Sequence, residues 1–181
     1  MSTDDGRLTV PVGPHDHIEG DENATITLVE YGDYQCPYCG QAYSIVKELQ
    51  KDFGTSLRLV FRNMPLSNVH PDAELAAEAA EAAGAQDKFW PMHDLLFENQ
   101  HDLKEKSLLR YAHEAGADSS EIEAALTQGT MRKRVNDDIE SGIRSGVNGT
   151  PTFFINAQRY DGSWDYDSLY DHFEALLNDE H

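Results

Sequence analysis

Short apolar segments and longer stretches with helical spacing alternate along the chain and predict its elements. Thr25–Tyr31 is rich in β-branched and apolar residues, which predicts a buried strand, and Leu57–Phe61 predicts a second. Between them, residues 41–53 carry apolar side chains at helical spacing. Thr152–Ile155 predicts a third strand, which Asn156 and Ala157 turn into a hairpin with a fourth.

The region between the second and third strands is predicted to be helical. Apolar stripes there indicate five helices, and a further stripe predicts a closing helix: Leu75–Ala83, Phe89–Phe97, Leu108–Ala115, Ile122–Leu126, Met131–Ile143 and Leu169–Leu177. Residues 1–22 are interpreted as a leader, in which Leu8–Val12 is predicted as a short edge strand. The order is therefore strand, helix, strand, helical insert, strand pair, helix.

Composition and charge narrow the class of protein. The 181 residues allow one domain, or one domain with an insertion, and a mean hydropathy of -0.60 predicts a soluble globular protein. A net charge of -19 repels nucleic acids and anionic membranes, so neither is an expected partner. No apolar run approaches the roughly 20 residues of a membrane-spanning helix. The polar start lacks the pattern of a secretory signal, which predicts a cytoplasmic location or an exported form already trimmed.

The motif Cys36-Pro37-Tyr38-Cys39 lies between the first strand and the first helix. Two cysteines three positions apart at a helix start can close a disulfide across one turn. The first meets unpaired N–H groups and the helix dipole, which stabilise a thiolate and lower its pKa. The second, more shielded, resolves a mixed disulfide, and Pro37 suits the first helical turn.

Alternatively, the two cysteines of this motif are half of the ligands of a metal site. Zinc sites mostly need four Cys or His ligands, and the sequence has no second pair of cysteines. His15 and His17 lie close together but in the leader. A CxxC beside a strand–helix pattern therefore favours redox chemistry over metal binding, and no metal is expected.

Two further positions are candidates for the same chemistry. Thr150-Pro151 directly precedes an apolar strand. Pro151 is either an ordinary loop proline or a proline whose preceding peptide bond is cis. Glu30 lies six residues before Cys36 inside the first strand. If Glu30 is buried, it is positioned to exchange a proton as Cys39 reacts; at the strand end it is simply solvated. Both readings of Glu30 stay open at this stage.

Together these motifs resemble the DsbA-like branch of the thioredoxin superfamily. The resemblance runs from about Thr25 to Leu177 and includes the segments Phe61–Leu66, Ala79–Gly84 and Phe89–His93. It implies an α/β thioredoxin fold made of residues 23–63 and 148–181, with a helical domain inserted at 64–147.

The resemblance also implies the roles of the site residues. Cys36 matches the nucleophile, Cys39 the resolving thiol and Glu30 the buried acid. Pro151 is implied to be cis and to face the cysteine pair, and Thr150 to offer backbone hydrogen bonds to an extended substrate. Pro37 and Tyr38 tune the site. Here the pair is Pro-Tyr rather than Pro-His, and no export signal is visible, so the direction of electron flow stays open.

The leading hypothesis is an enzyme that exchanges disulfides with protein or peptide substrates and is recycled by an unidentified redox partner. It needs no cofactor beyond the Cys36–Cys39 disulfide. A glutathione-linked, glutaredoxin-like reductase is a second reading, disfavoured by the acidic charge and by the lack of a basic cluster beside the motif. A chaperone or peptide-binding module on the same fold is a third.

Overall fold

The computed structural model describes residues 4–179, which contain a five-stranded sheet. The strands, in chain order, are β1 (His17–Glu19), β2 (Ile26–Gly32), β3 (Leu57–Asn63), β4 (Thr152–Ile155) and β5 (Gln158–Tyr160). Their order in the sheet is β1-β3-β2-β4-β5. Only β2 and β3 are parallel; the other neighbouring pairs are antiparallel. The sheet is therefore mixed, with β2 flanked on both sides by partners.

Seven α-helices accompany the sheet in the described residues, and a short 3-10 helix, Gly54–Ser56, follows the first of them. The α-helices are α1 (Pro37–Phe53), α2 (Ala73–Gly84), α3 (Phe89–Glu98), α4 (Glu105–Glu114), α5 (Ser119–Gln128), α6 (Arg132–Arg144) and α7 (Tyr166–Asn178). Five of them, α2 to α6, lie between β3 and β4. No helix within residues 4–179 combines the length and apolar character that crossing a membrane requires.

Alternation along β2 divides its side chains between the two faces of the sheet. Ile26 and Leu28 pack in a core with α1 and α7, whereas Val29 and Tyr31 pack in a second core on the other face. Because the period of a strand is two residues, Glu30 shares the face of Ile26 and Leu28. The only charged side chain of β2 therefore points to the side of the sheet that α1 covers.

A third core joins the helical region to the CxxC turn. It contains both cysteines with Tyr34 and Phe61, together with apolar residues of α2 to α5. The inserted helices thus form one wall of the redox centre.

The predicted edge strand at Leu8–Val12 is wrong, and the edge strand is β1, within the predicted leader. The backbone N–H and side-chain hydroxyl of Thr9 bond to Ser145 Oγ and the carbonyl of Arg144, near the end of α6. Pro11 has no N–H to donate. The segment pairs only at its start, where Arg7 forms an isolated antiparallel bridge with Gln158 of β5 and the Leu8 N–H donates to the carbonyl of Ala157, and no strand forms in the rest of this described segment.

The hairpin between β4 and β5 forms as predicted. Its two turn residues, Asn156 and Ala157, have φ values of 50° and 71°. Positive φ at both central positions is the geometry of a two-residue turn whose twist matches the flanking strands. Asparagine adopts this conformation readily, but alanine does so at a cost.

Candidate active site

The redox turn is held at the end of β2. Cys36 is the N-cap of α1, with φ -71° and ψ 122°, and Pro37 occupies the first turn. The Cys36 N–H donates to the carbonyl of Asp33 at 3.1 Å. The thiol therefore lies where the first N–H groups of a 17-residue helix have no partner within the helix.

Cys36 is set up as a thiolate. A hydrogen bond from the Cys39 thiol is the main cause that lowers its pKa to about 5. Bonds from the Thr150 hydroxyl and from the backbone N–H groups of Cys39 and Tyr38 add to this effect, while burial opposes it. At pH 7 the thiolate therefore exceeds the thiol by about a hundredfold.

Cys39 has the opposite character. Its side chain is fully buried, and burial is the largest cause that raises its pKa well above that of an ordinary thiol. Its Sγ accepts a hydrogen bond from the Asp33 N–H at 3.4 Å. The two sulfurs, both free here, thus differ in charge at neutral pH.

The Thr150–Pro151 peptide bond is cis, as the resemblance implies, and lies against the redox turn. As a thiol, Cys36 donates to the carbonyl of Thr150 across 3.6 Å. The Thr150 hydroxyl oxygen is buried beside it. Tyr38, by contrast, is 62% exposed beside the cysteines. The turn and the segment at Thr150 therefore form one surface around Cys36.

Glu30 is buried and not solvated at a strand end. Only 2% of it is exposed, and its Oε1 has no hydrogen-bond partner. Burial, reinforced by the charge of Cys36, raises its pKa to about 8. Glu30 in turn is one of the groups that raise the pKa of Cys39. The structure thus places an acid that is largely neutral at pH 7 within electrostatic reach of both cysteines.

Two further side chains at the turn were missed in the sequence. Gln100, after α3, donates from Nε2 to the carbonyls of Tyr34 and Cys36 at 2.9 and 2.8 Å. Asp33 is buried and its carboxylate bonds to His70. Both contacts join segments far apart in the chain, so no local spacing signalled them.

His93 is a buried core histidine whose Nδ1 bonds to the Tyr34 hydroxyl at 2.9 Å. Burial is the main cause that lowers its pKa well below the usual value, so the ring is neutral. Within residues 4–179, no group of three or more Cys, His, Asp or Glu side chains is arranged to hold a metal ion.

Comparison with known proteins defines the class. The family model described as thioredoxin matches residues 13–175, so this chain belongs to the thioredoxin family. The fold matches the crystal structure of oxidised BdbD from Bacillus subtilis, with a TM-score of 0.83 and 27% identity over 91% of this chain and 94% of that one. The crystal structure of a thioredoxin-like oxidoreductase from Silicibacter pomeroyi matches with a TM-score of 0.79 and 28% identity, over 92% of this chain and 94% of that one. The protein has the fold of the DsbA- and BdbD-type thiol–disulfide oxidoreductases, and an oxidoreductase role follows in general terms.

Curated relatives with similar sequences are named as antiporters and not as oxidoreductases. The chain is 47% identical over 163 residues to the Na(+)/H(+) antiporter NhaA 1 of Salinispora arenicola. The matched segment is 90% of this chain and 25% of the antiporter. The Na(+)/H(+) antiporter NhaA of Herminiimonas arsenicoxydans is 43% identical over 159 residues, which are 87% of this chain and 25% of the antiporter. The chain therefore spans about a quarter of the length of these relatives.

Proposed function

We propose that this protein exchanges disulfides with protein thiols through Cys36 and Cys39. The observation that carries the proposal is the contrast between the two sulfurs. Cys36 has a pKa of about 5, while burial keeps Cys39 protonated. A stable thiolate suits Cys36 to act as nucleophile and leaving group, and a shielded thiol suits Cys39 to resolve the mixed disulfide.

The reaction starts from the Cys36–Cys39 disulfide. A substrate thiolate attacks Cys36 Sγ, the bond to Cys39 breaks, and Cys39 takes the electron pair and a proton. Glu30, with a pKa of about 8, is the nearby acid that supplies the proton. The second substrate thiolate then attacks the substrate sulfur of the mixed disulfide, and Cys36 leaves as a thiolate. The substrate gains a disulfide, and the protein is reduced by two electrons.

The charge on Cys36 also suggests the direction of electron flow. Every interaction that stabilises the thiolate stabilises the reduced protein over its disulfide. A thiolate with a pKa of about 5 therefore favours an oxidant, which donates disulfides. An outside oxidant that accepts two electrons must then restore the disulfide.

Trapping the mixed disulfide tests the exchange itself. A Cys39→Ser variant is incubated with a peptide that carries one activated disulfide, and the adduct is measured by mass spectrometry. We expect a stable adduct on Cys36 that the wild-type chain releases within the same period. A Cys36→Ser variant is the matched control and should form none. If the Cys39→Ser variant gains no adduct, the proposal is wrong.

The reduction potential, measured in defined glutathione buffers, tests the direction. We expect a value closer to about −120 mV, typical of a strong oxidant, than to the about −270 mV of thioredoxin. A value at the lower end would make the protein a reductant. The double variant Cys36→Ser/Cys39→Ser separates the binding-module alternative, because a holdase would still suppress aggregation of an unfolded protein.

The curated relatives favour one particular partner for this exchange. Because this chain matches a quarter of proteins named as Na(+)/H(+) antiporters, we propose a membrane ion transporter as a candidate redox partner. The test replaces the matched quarter of the Salinispora arenicola antiporter with this chain and measures sodium–proton exchange in vesicles. Exchange that responds to dithiothreitol with the wild-type chain, but not with Cys36→Ser/Cys39→Ser, supports the partner. Equal responses of the two exclude it.

A further inference from the structure

The loop of residues 64–72, which follows β3, is bonded to the redox turn at several points. The Met64 N–H donates to the carbonyl of Gly32 at 2.8 Å. Farther along, the Asp72 N–H donates to Gln35 Oε1 at 2.8 Å. Between these contacts, Asp33 holds the middle of the loop. Hydrogen bonds therefore join the loop to the turn at both of its ends and in its middle.

Asp33 is the centre of these contacts. Its carboxylate is fully buried and accepts the N–H of Gln35 at 2.7 Å through Oδ1. Its Oδ2 accepts the N–H of Leu66 at 2.9 Å and bonds to Nδ1 of His70 at 2.7 Å. His70 is the only side chain, within the described residues, that forms a hydrogen bond with this carboxylate.

The backbone of the same residue contacts both cysteines. The Asp33 carbonyl accepts the Cys36 N–H at 3.1 Å, and the Asp33 N–H donates to Cys39 Sγ at 3.4 Å. Removing His70 would leave the buried Asp33 carboxylate with only the N–H groups of Gln35 and Leu66. Because the loss of one partner of a buried carboxylate is costly, Asp33 would rotate or admit water. Either change displaces the backbone groups that orient the two sulfurs.

We propose that His70 is a positioning residue of the redox centre, which acts through Asp33 to hold the Cys39 sulfur in place beside Cys36. His70 touches neither sulfur itself. In the resolving step, Cys39, as a thiolate, attacks Cys36 Sγ of the mixed disulfide. The bond to the substrate breaks, the substrate leaves with the electron pair, and the Cys39 proton goes to the Glu30 carboxylate, the reverse of the proton transfer proposed above. The position of Cys39 thus decides both the stability of the Cys36 thiolate and the rate of this step.

The main experiment titrates the Cys36 thiolate of the reduced protein by its ultraviolet absorbance. We expect His70→Ala to raise the pKa of Cys36 by on the order of half a unit to one unit, because the hydrogen bond from Cys39 weakens. His70→Asn, whose amide N–H occupies a place like that of Nδ1, should return the pKa close to the wild-type value. The exposed His113 of α4 provides the matched control, and His113→Ala should change nothing.

A kinetic measurement gives a second readout. The mixed disulfide with the single-disulfide peptide should be released several-fold more slowly by His70→Ala than by His70→Asn. If His70→Ala does not fold, His70→Gln takes its place, since its amide N–H lies one bond too far from the chain and should also raise the pKa. A wild-type pKa of Cys36 and a wild-type release rate in the folded variant would overturn the proposal.

The inference rests on the proposed disulfide exchange for its kinetic part only. The titration needs no substrate, so a shifted pKa in a protein that exchanges no disulfides would support the role of His70 and reject the proposed function. An unshifted pKa in an active protein would do the reverse.

Discussion

Replacing Glu30 with glutamine should change the stability of the reduced protein in a pH-dependent way. Burial, with a smaller contribution from the charge of Cys36, raises the pKa of Glu30 from 4.5 to about 8. Because the folded pKa lies above the unfolded one, the wild-type protein loses stability as the pH rises from about 4.5 to about 8. The glutamine variant carries no proton to lose and escapes this effect.

The size of the effect follows from the difference between the two pKa values. Each pH unit between them is worth about 1.4 kcal/mol, so the charged carboxylate costs the fold about 5 kcal/mol above pH 8 and about 3 kcal/mol at pH 7. Glutamine has its own cost in this site, since the buried position of Oε1 offers no hydrogen-bond partner among the described residues. That cost shifts all values equally and leaves the slope unchanged.

The assay is urea unfolding of both reduced proteins between pH 5 and pH 8. The free energy of unfolding of Glu30→Gln minus that of wild type should rise by about 1.4 kcal/mol per pH unit. Titration of Cys36 is common to both proteins and largely cancels. The exposed Glu123 of α5 gives the control, because Glu123→Gln should produce a flat difference. A flat difference for Glu30→Gln as well would refute a buried acid with a raised pKa.

Three other substitutions test how the site and its scaffold are held. Gly40→Ala should destabilise the protein by about 1–2 kcal/mol instead of favouring the helix, because the new methyl group would lie 2.1 Å from Gln100 Oε1 and displace that side chain. In a Gln100→Ala background the same change should become neutral or stabilising, as thermal melts of the four proteins would show. Arg62→Met should cost about 3–5 kcal/mol in urea unfolding, because the Asp16 carboxylate, its partner at 2.9 Å and only 9% exposed, loses its ion pair. Adding Asp16→Asn should recover part of that loss, and no recovery would contradict the ion-pair explanation. Ala157→Gly should raise the free energy of unfolding in urea by about 1 kcal/mol, since a φ of 71° is unfavourable for alanine. A lower free energy of unfolding would show that the turn is not strained.

The sequence alone was sufficient for features that local spacing reports. A motif of two cysteines between a buried strand and an amphipathic helix predicted the redox turn, because strand period, helix period and capping are properties of neighbouring residues. The same reasoning located the strands around Glu30 and Phe153 and the helices between β3 and β4. The resemblance then supplied the cis bond before Pro151.

Only the tertiary structure decided what depends on contacts between distant segments. Whether Glu30 was buried or solvated depended on α1 covering its face of the sheet, and no pattern within β2 distinguishes the two. The bond from His70 to Asp33 spans 37 residues and that from Gln100 to Cys36 spans 64, so neither leaves a periodic signal. The first edge strand was misplaced for the same reason, because the groups that occupy the backbone of Thr9 come from α6 and the residue after it. Periodicity reports which face of an element is buried, whereas the partners of buried polar groups are set by how the elements pack.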